Sequence, residues 1–176
     1  MTPDGRFVVF LSRANNLTTN DVPAPGASLN VYLRDRASHR TIRVSTTSNG
    51  GPPADGDSYA PEVSADGRFV VFESHARNLT PNDTNQNADV FLRDVHTGMT
   101  SLVSVNADGT GPANGWSGEP SITPDGRYVL FSSSATNLVA GDLGSGQFLY
   151  IRDLQDQRTL LVNVPQFLSW KMGPRS

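Results

Sequence analysis

Apolar residues in this chain come in short runs set off by Gly, Pro, Asp, Asn and Ser, and the same runs return three times. DGRFVVF at residues 4–10 recurs at 66–72 and again as DGRYVLF at 125–131. Each copy continues into F-x-S-x-A-x-N-L, ending at Leu17, Leu79 and Leu138. A second block, NVYLRD, DVFLRD and LYIRD, ends at Asp35, Asp94 and Asp153, a constant step of 59 residues. A third reads TIRVS, TSLVS and TLLVN, and a fourth, SYAPEVSADG and SGEPSITPDG, leads into the next DGR. Repetition at a fixed period of this length points to a repeat architecture before anything else. Only the segment from Leu17 to Asn30 breaks the period, by three extra residues, and is read as an exposed loop, where insertions are tolerated.

Asp-Gly between apolar runs signals a two-residue hairpin, because such turns need positive φ. Residues 120–123 and 127–133 are therefore expected to pair as strands A and B. A second hairpin turns at residues 96–98 in the middle repeat, and the equivalent strands of the third repeat are C (148–153) and D (159–164), giving an up-and-down meander of four strands per repeat. FVVF shows no alternation, so both faces of strand B are expected to be buried. Four-stranded sheets that repeat and bury both faces stack as the blades of a propeller. No segment sustains a 3.6-residue period, so helix should be nearly absent. The predicted fold is all-β, a partial β-propeller of three four-stranded antiparallel blades. Its repeats run approximately over 1–59, 60–118 and 119–164, followed by a non-repetitive tail at 165–176.

The P-x-[VI]-[ST]-x-D-G-R-[FY]-V-x-F core, followed by D-V-F-L-R-D and a T-G turn, resembles the TolB-like, WD-repeat-like propeller repeat of bacterial proteins. The resemblance spans residues 1–164, with blades longer than the roughly forty residues usual in that family. It implies a six- or seven-bladed propeller, often periplasmic or secreted, that serves as a docking or ligand-binding platform and is sometimes joined to a peptidase domain. Met1 aligns with Val63 and Ile122, so the first blade is expected to lack most of its innermost strand. Three blades are fewer than the four to eight of a closed ring. Two readings follow: a fragment of a larger propeller, or a homo-oligomer in which two copies close the ring. Phe167, Leu168 and Trp170 in the tail could supply a missing first strand; a locally packed terminus is the plainer reading.

Composition narrows the chemistry. With 14 Lys+Arg against 17 Asp+Glu, the net charge of −3 argues against nucleic acid as a partner. No apolar run reaches the roughly 18 residues of a membrane span, and the first residues, MTPDGRF, lack a signal-peptide layout. The absence of cysteine removes disulfides, thiolate metal sites and a cysteine nucleophile. His39, His75 and His96 occupy non-equivalent repeat positions, and no phosphate loop or metal-spaced His pair is present. The chain therefore reads as a non-catalytic scaffold for a protein or small ligand. The alternatives are the propeller portion of a hydrolase or lyase, and a Ca²⁺-stabilised secreted repeat.

The B–C and D–A connections, residues 76–88 and 106–119 in the middle repeat, are long and share one end of the blade, so binding is expected there. Tyr59 and Trp116, read as exposed aromatics of the D–A loops, are the candidate ligand-binding residues. Asp83, Asn85, Asn87 and Asp89 place oxygens at alternate positions, as a Ca²⁺ loop does, although Ala88 stands where such a loop wants Gly. An Asx-rich loop satisfying its own backbone is the plainer reading and leaves the chain without a cofactor. Asn16, Asn78 and Asn137 are read as loop caps. Arg6, Arg68 and Arg127, with Asp35, Asp94 and Asp153, are read as structural ion pairs.

Overall fold

The computed structural model describes residues 1–18, 28–141 and 143–163. The insertion after Leu17 lies largely outside these residues, and Phe167, Leu168 and Trp170 lie wholly outside them. Eleven strands form three antiparallel sheets. Blade 1 holds β1 (Phe7–Ser12), β2 (Asn30–Asp35) and β3 (Arg40–Arg43). Blade 2 holds β4 (Ser58–Val63), β5 (Phe69–Ser74), β6 (Asp89–Asp94) and β7 (Met99–Leu102). Blade 3 holds β8 (Ser117–Ile122), β9 (Tyr128–Ser133), β10 (Phe148–Asp153) and β11 (Arg158–Asn163). Each sheet is a meander in chain order, and among the described residues blade 1 has no counterpart of the innermost strand that β4 and β8 supply elsewhere. The helical content among the described residues is one 3-10 turn, Ser48–Gly50.

Two apolar layers hold the blades together. Between blades 1 and 2, Phe7, Val9, Val31 and Leu33 meet Val70, Phe72, Phe91 and Leu102. Between blades 2 and 3, Phe69, Val71, Val90 and Leu92 meet Val129, Phe131, Phe148 and Tyr150. Successive strand residues point to opposite faces, so β5 serves both layers at once, and Val70, Val71 and Phe72 are all fully buried. Burial of both faces of strand B holds for blade 2 alone. In β9, Val129 and Phe131 are buried while Tyr128 and Leu130 are half-buried, because no described blade covers their side.

The turn before strand B differs from the expected two-residue hairpin. The strands end at Val63 and resume at Phe69, and the turn closes through Gly67 N–H donating to the Ser64 carbonyl. Gly67 alone takes positive φ, at 77°. Asp66 instead uses its carboxylate, accepting from Ser64 Oγ and Arg68 N–H. Strand A also begins earlier than expected, at Ser117, and is bulged in both complete blades. Ala60 and Glu119 hold φ of 46° and 53° at the register breaks of β4 and β8.

Arg6, Arg68 and Arg127 pair with Asp35, Asp94 and Asp153 at 3.0, 2.9 and 2.8 Å, tying the start of strand B to the end of strand C. Each guanidinium also lies 4.6–4.9 Å from the ring of the next residue, Phe7, Phe69 or Tyr128. The loop asparagines act between blades. Asn78 Oδ1 accepts from Asp55 N–H, and Asn137 Oδ1 from Asn114 N–H, each fastening a B–C loop to the D–A loop of the preceding blade.

Candidate functional site

The two candidate aromatics stand on the inner end of the loop face, where β4 and β8 run side by side. Tyr59 lies within β4 rather than in the loop before it, because the strand starts at Ser58, whose hydroxyl bonds Ser74 across the sheet. Its ring is 37 % exposed and its hydroxyl donates to Asp57 Oδ2 at 3.1 Å. His75 packs edge-on against it, ring centres 6.2 Å apart. Asp57 in turn receives a bidentate pair from Arg13 of blade 1, at 3.1 and 2.7 Å, and the Leu29 N–H. The Arg13 bond and that amide hold the Asp57 carboxyl below its usual range, and the anionic Asp57 pushes the Tyr59 phenol up.

Trp116 immediately precedes β8 and is half-buried. Its indole N–H donates to Glu73 Oε1 of β5 at 3.1 Å, and Glu73 Oε2 accepts the Glu119 N–H. In the repeat, Gly118 aligns with Tyr59 and Trp116 with Asp57. A side chain on Gly118 would collide with the Trp116 ring. Trp116 thus covers in blade 3 the place that Tyr59 occupies in blade 2, although the two are not equivalent in sequence.

The partners of these aromatics, Glu73, Asp57, Arg13 and His75, escape a reading that follows the repeat. The signal that finds them is departure from it. Glu73 stands where the other blades have Leu11 and Ser132, and His75 where they have Arg13 and Ser134. The strands are repeated where they pack and varied where they face the loop end.

The Asp/Asn loop folds on itself. Asn85 Nδ2 donates to Asp89 Oδ2 and to the Ala113 carbonyl, and Asn85 Oδ1 accepts the Asn87 N–H. Asp89 Oδ1 accepts from Ser104 Oγ at 2.6 Å. Burial pushes the Asp89 carboxyl up to about 7, against the bonds from Ser104 and Asn85 that favour its anion. Asp83 is also buried and raised by desolvation, and its Oδ1 accepts no hydrogen bond from the described residues. Among the described residues, no group of three or more His, Cys, Asp or Glu side chains is placed to hold a metal ion.

A cleft of about 970 Å³ is lined by Met99, Leu102, Arg77, Thr80 and Arg152 and includes neither Tyr59 nor Trp116. No described helix is long and apolar enough to cross a membrane.

Three stacked antiparallel meanders, one of three described strands and two of four, with their long loops gathered at one end define a β-propeller architecture. Within it, the fold is TolB-like. The chain is similar to putative TolB from Agrobacterium tumefaciens, with a TM-score of 0.51 and 17% identity, covering 91% of this chain and 46% of that one. TolB from Acinetobacter baumannii gives 0.52 and 14%, covering 93% and 31%. The β-propeller domain of the trilobed protease from Pyrococcus furiosus gives 0.50 and 15%, covering 93% and 41%. This chain spans less than half the length of each of these proteins. No family model and no curated protein matches the sequence.

Proposed function

We propose that this chain is a non-catalytic propeller scaffold that recognises a protein segment or small ligand through its long-loop face, in an extracytoplasmic setting. The observation that supports the reading most is the cluster at the loop end of the adjacent inner strands: Tyr59 in β4 and Trp116 just before β8, with Asp57, Arg13, His75 and Glu73 bonded or packed to them. Rigid aromatic faces flanked by fixed charges are what a recognition surface needs, and the strands beneath are locked by cross-blade bonds. The face is open rather than pocketed, which suits an extended protein segment.

A displayed library of random peptides, panned on the purified chain, tests this. Enriched peptides should bind at least tenfold more weakly to Tyr59→Ser and Trp116→Ser variants and equally well to His96→Ala, at the opposite end of the blade. Peptides indifferent to both aromatic variants would remove the support for this face.

A second reading takes the chain as the propeller portion of a hydrolase or lyase. It rests on the similarity to the protease propeller, and to the tricorn protease at a TM-score of 0.52 with 12% identity, covering 92% of this chain and 17% of that one. In that reading the catalytic part lies outside this propeller segment, so reading the sequence beyond both ends of the chain separates the two: a peptidase domain joined to the repeats favours the second reading, and further repeats alone favour the scaffold. In the same reading, the Asp83–Asp89 loop serves the fold: Asn85 aims an amide nitrogen, not an oxygen, at Asp89. Millimolar Ca²⁺ and chelator should leave the melting temperature equal, whereas a calcium-dependent rise marks a cation site.

A further inference from the structure

The C–D hairpin of blade 1 departs from the repeat in charge. Residues 34–43, RDRASHRTIR, hold four arginines against one carboxylate, whereas the equivalent segments hold one of each at 93–102 and two of each at 152–161. Arg36, His39, Arg40 and Arg43 stand where blade 2 has Val95, Gly98, Met99 and Leu102. The one carboxylate, Asp35, is already committed: Arg6 donates to both its oxygens at 3.1 and 3.0 Å, and the Ala37 N–H and Ser38 hydroxyl donate to it as well. The charges added to this hairpin are not answered by carboxylates added within it.

Beside β3, an edge strand of its sheet, a cleft of about 490 Å³ reaches from this hairpin to Arg93 of blade 2. Arg34, His39, Arg40, Arg43 and Arg93 line it, and among the described residues no carboxylate does. Arg93 is the most buried of the five, at 6 % exposed. Its Nη1 donates to the Thr47 carbonyl at 3.1 Å and to Thr100 Oγ1 at 2.8 Å, both neutral acceptors, while its Nε and Nη2 make no hydrogen bond to the described residues. Burial pushes the pKa of this guanidinium down, and neighbouring Asp94, itself bonded to Arg68, opposes that without outweighing it. Blade 3 supplies the contrast. There the equivalent Arg152, 7 % exposed, uses Nη1 on Thr159 Oγ1 and Nη2 on Gln157 Oε1. Blade 2 has Gly98 in place of Gln157, and a Cβ on that glycine would stand 3.8 Å from Arg93 Nη2. A buried guanidinium with donors left over is costly unless an acceptor meets them.

We propose that this cleft binds the phosphate group of a small ligand, with the Nε–Nη2 edge of Arg93 as the fixed fork and Arg34 and Arg40 as the further donors. A planar guanidinium edge matches two oxygens of a phosphate, and such charge-assisted bonds are roughly twice as strong as neutral ones. The cleft volume falls within the roughly 300–1,000 Å³ of small-ligand sites, which favours a phosphate ester over an extended polyanion. Soluble esters and lipid headgroups share this chemistry. The cleft includes neither Tyr59 nor Trp116, and the proposal does not depend on the loop-face reading.

Isothermal titration with pyrophosphate as the probe, in a buffer free of phosphate and sulfate, should show saturable binding at one site per chain. Arg34→Gln and Arg40→Gln should each weaken it at least fivefold. Arg93→Lys, which keeps the charge but removes the planar fork, should weaken it at least tenfold. Arg158→Gln should leave it unchanged, since Arg158 holds the place of Arg40 in blade 3 without the surrounding arginines. Arg40 is exposed, so its variant keeps the answer readable if Arg93→Lys lowers the melting temperature. Cosedimentation with vesicles of phosphatidylglycerol in phosphatidylcholine separates the two sources. Vesicle binding that is lost in Arg40→Gln assigns the phosphate to a lipid headgroup, and pyrophosphate binding without it assigns a soluble ester. The proposal is overturned if the chain binds neither the vesicles nor millimolar pyrophosphate. It is equally overturned if Arg40→Gln and Arg158→Gln act alike, the mark of diffuse charge attraction.

Discussion

At the scale of single residues, two sets of carboxylates pull stability in opposite directions with pH. Asp94 is held at about 2, because the Arg68 pair and the His96 and Thr97 amides outweigh its desolvation. Asp153 is held at about 2 by Arg127 and two turn amides, and Asp35 is depressed by Arg6 in the same way. A depressed folded pKa means stability that is complete above the ordinary value near 4 and is lost as pH falls toward 2. Asp89 behaves oppositely: raised to about 7, its contribution is complete below pH 4 and drains away as pH rises through 7. Urea titrations should therefore find maximal stability in mild acid, near pH 4–5. Asp89→Asn should flatten the decline toward pH 8, recovering on the order of 2–4 kcal/mol there. Blade 1 shows that the amide fits, since Asn30 accepts from Ser45 Oγ as Asp89 accepts from Ser104. An unchanged pH profile in that variant would show that Asp89 is not the group responsible.

At the scale of elements, the D-G-R turn sets both the hairpin and the blade spacing. Gly5, Gly67 and Gly126 all hold positive φ, at 71°, 77° and 73°, so alanine at any of them costs about 1 kcal/mol in backbone strain. Only at Gly67 and Gly126 does a ring fill the space a side chain would need. Gly67→Ala should therefore cost about 1–3 kcal/mol more than Gly5→Ala, the usual range for overpacking. Equal losses would mean that the Phe7 ring moves aside freely. Edge strands are managed by the same neighbour-to-neighbour logic. The outer strand β7 is covered by the loop of blade 1, where Thr100 N–H donates to Ser48 Oγ, and Arg93 Nη1 of β6 donates to the Thr47 carbonyl of the same loop. In blade 3, Ala107 aligns with Ser48 and brings no hydroxyl to β11.

For the whole molecule, stability is graded from the middle outward. Blade 2 is packed on both faces and bonded to both neighbours, through Arg13–Asp57 on one side and Glu73–Trp116 and Glu62–Ile122 on the other. Blade 3 is packed on one described face. Hydrogen exchange should be slowest in β5 and β6 and faster in β10 and β11. Uniform protection across the three blades would contradict this gradient.

The repeat carried most of the architecture in plain view. A block returning every 59 residues, with FVVF in its second strand, determines sheets that stack, because a strand apolar at every position needs cover on both sides. It also marked the Arg–Asp pairs and the loop asparagines, since residues that recur with the packing serve the packing. Tertiary structure decided what the repeat does not encode. It brought Glu73 to the Trp116 indole and Arg13 to the Asp57 carboxylate across blade boundaries. It also limited two-sided burial to the middle blade. The physical reason is that a local sequence specifies which groups must be covered, while the covering group comes from the next blade, 40 to 60 residues away.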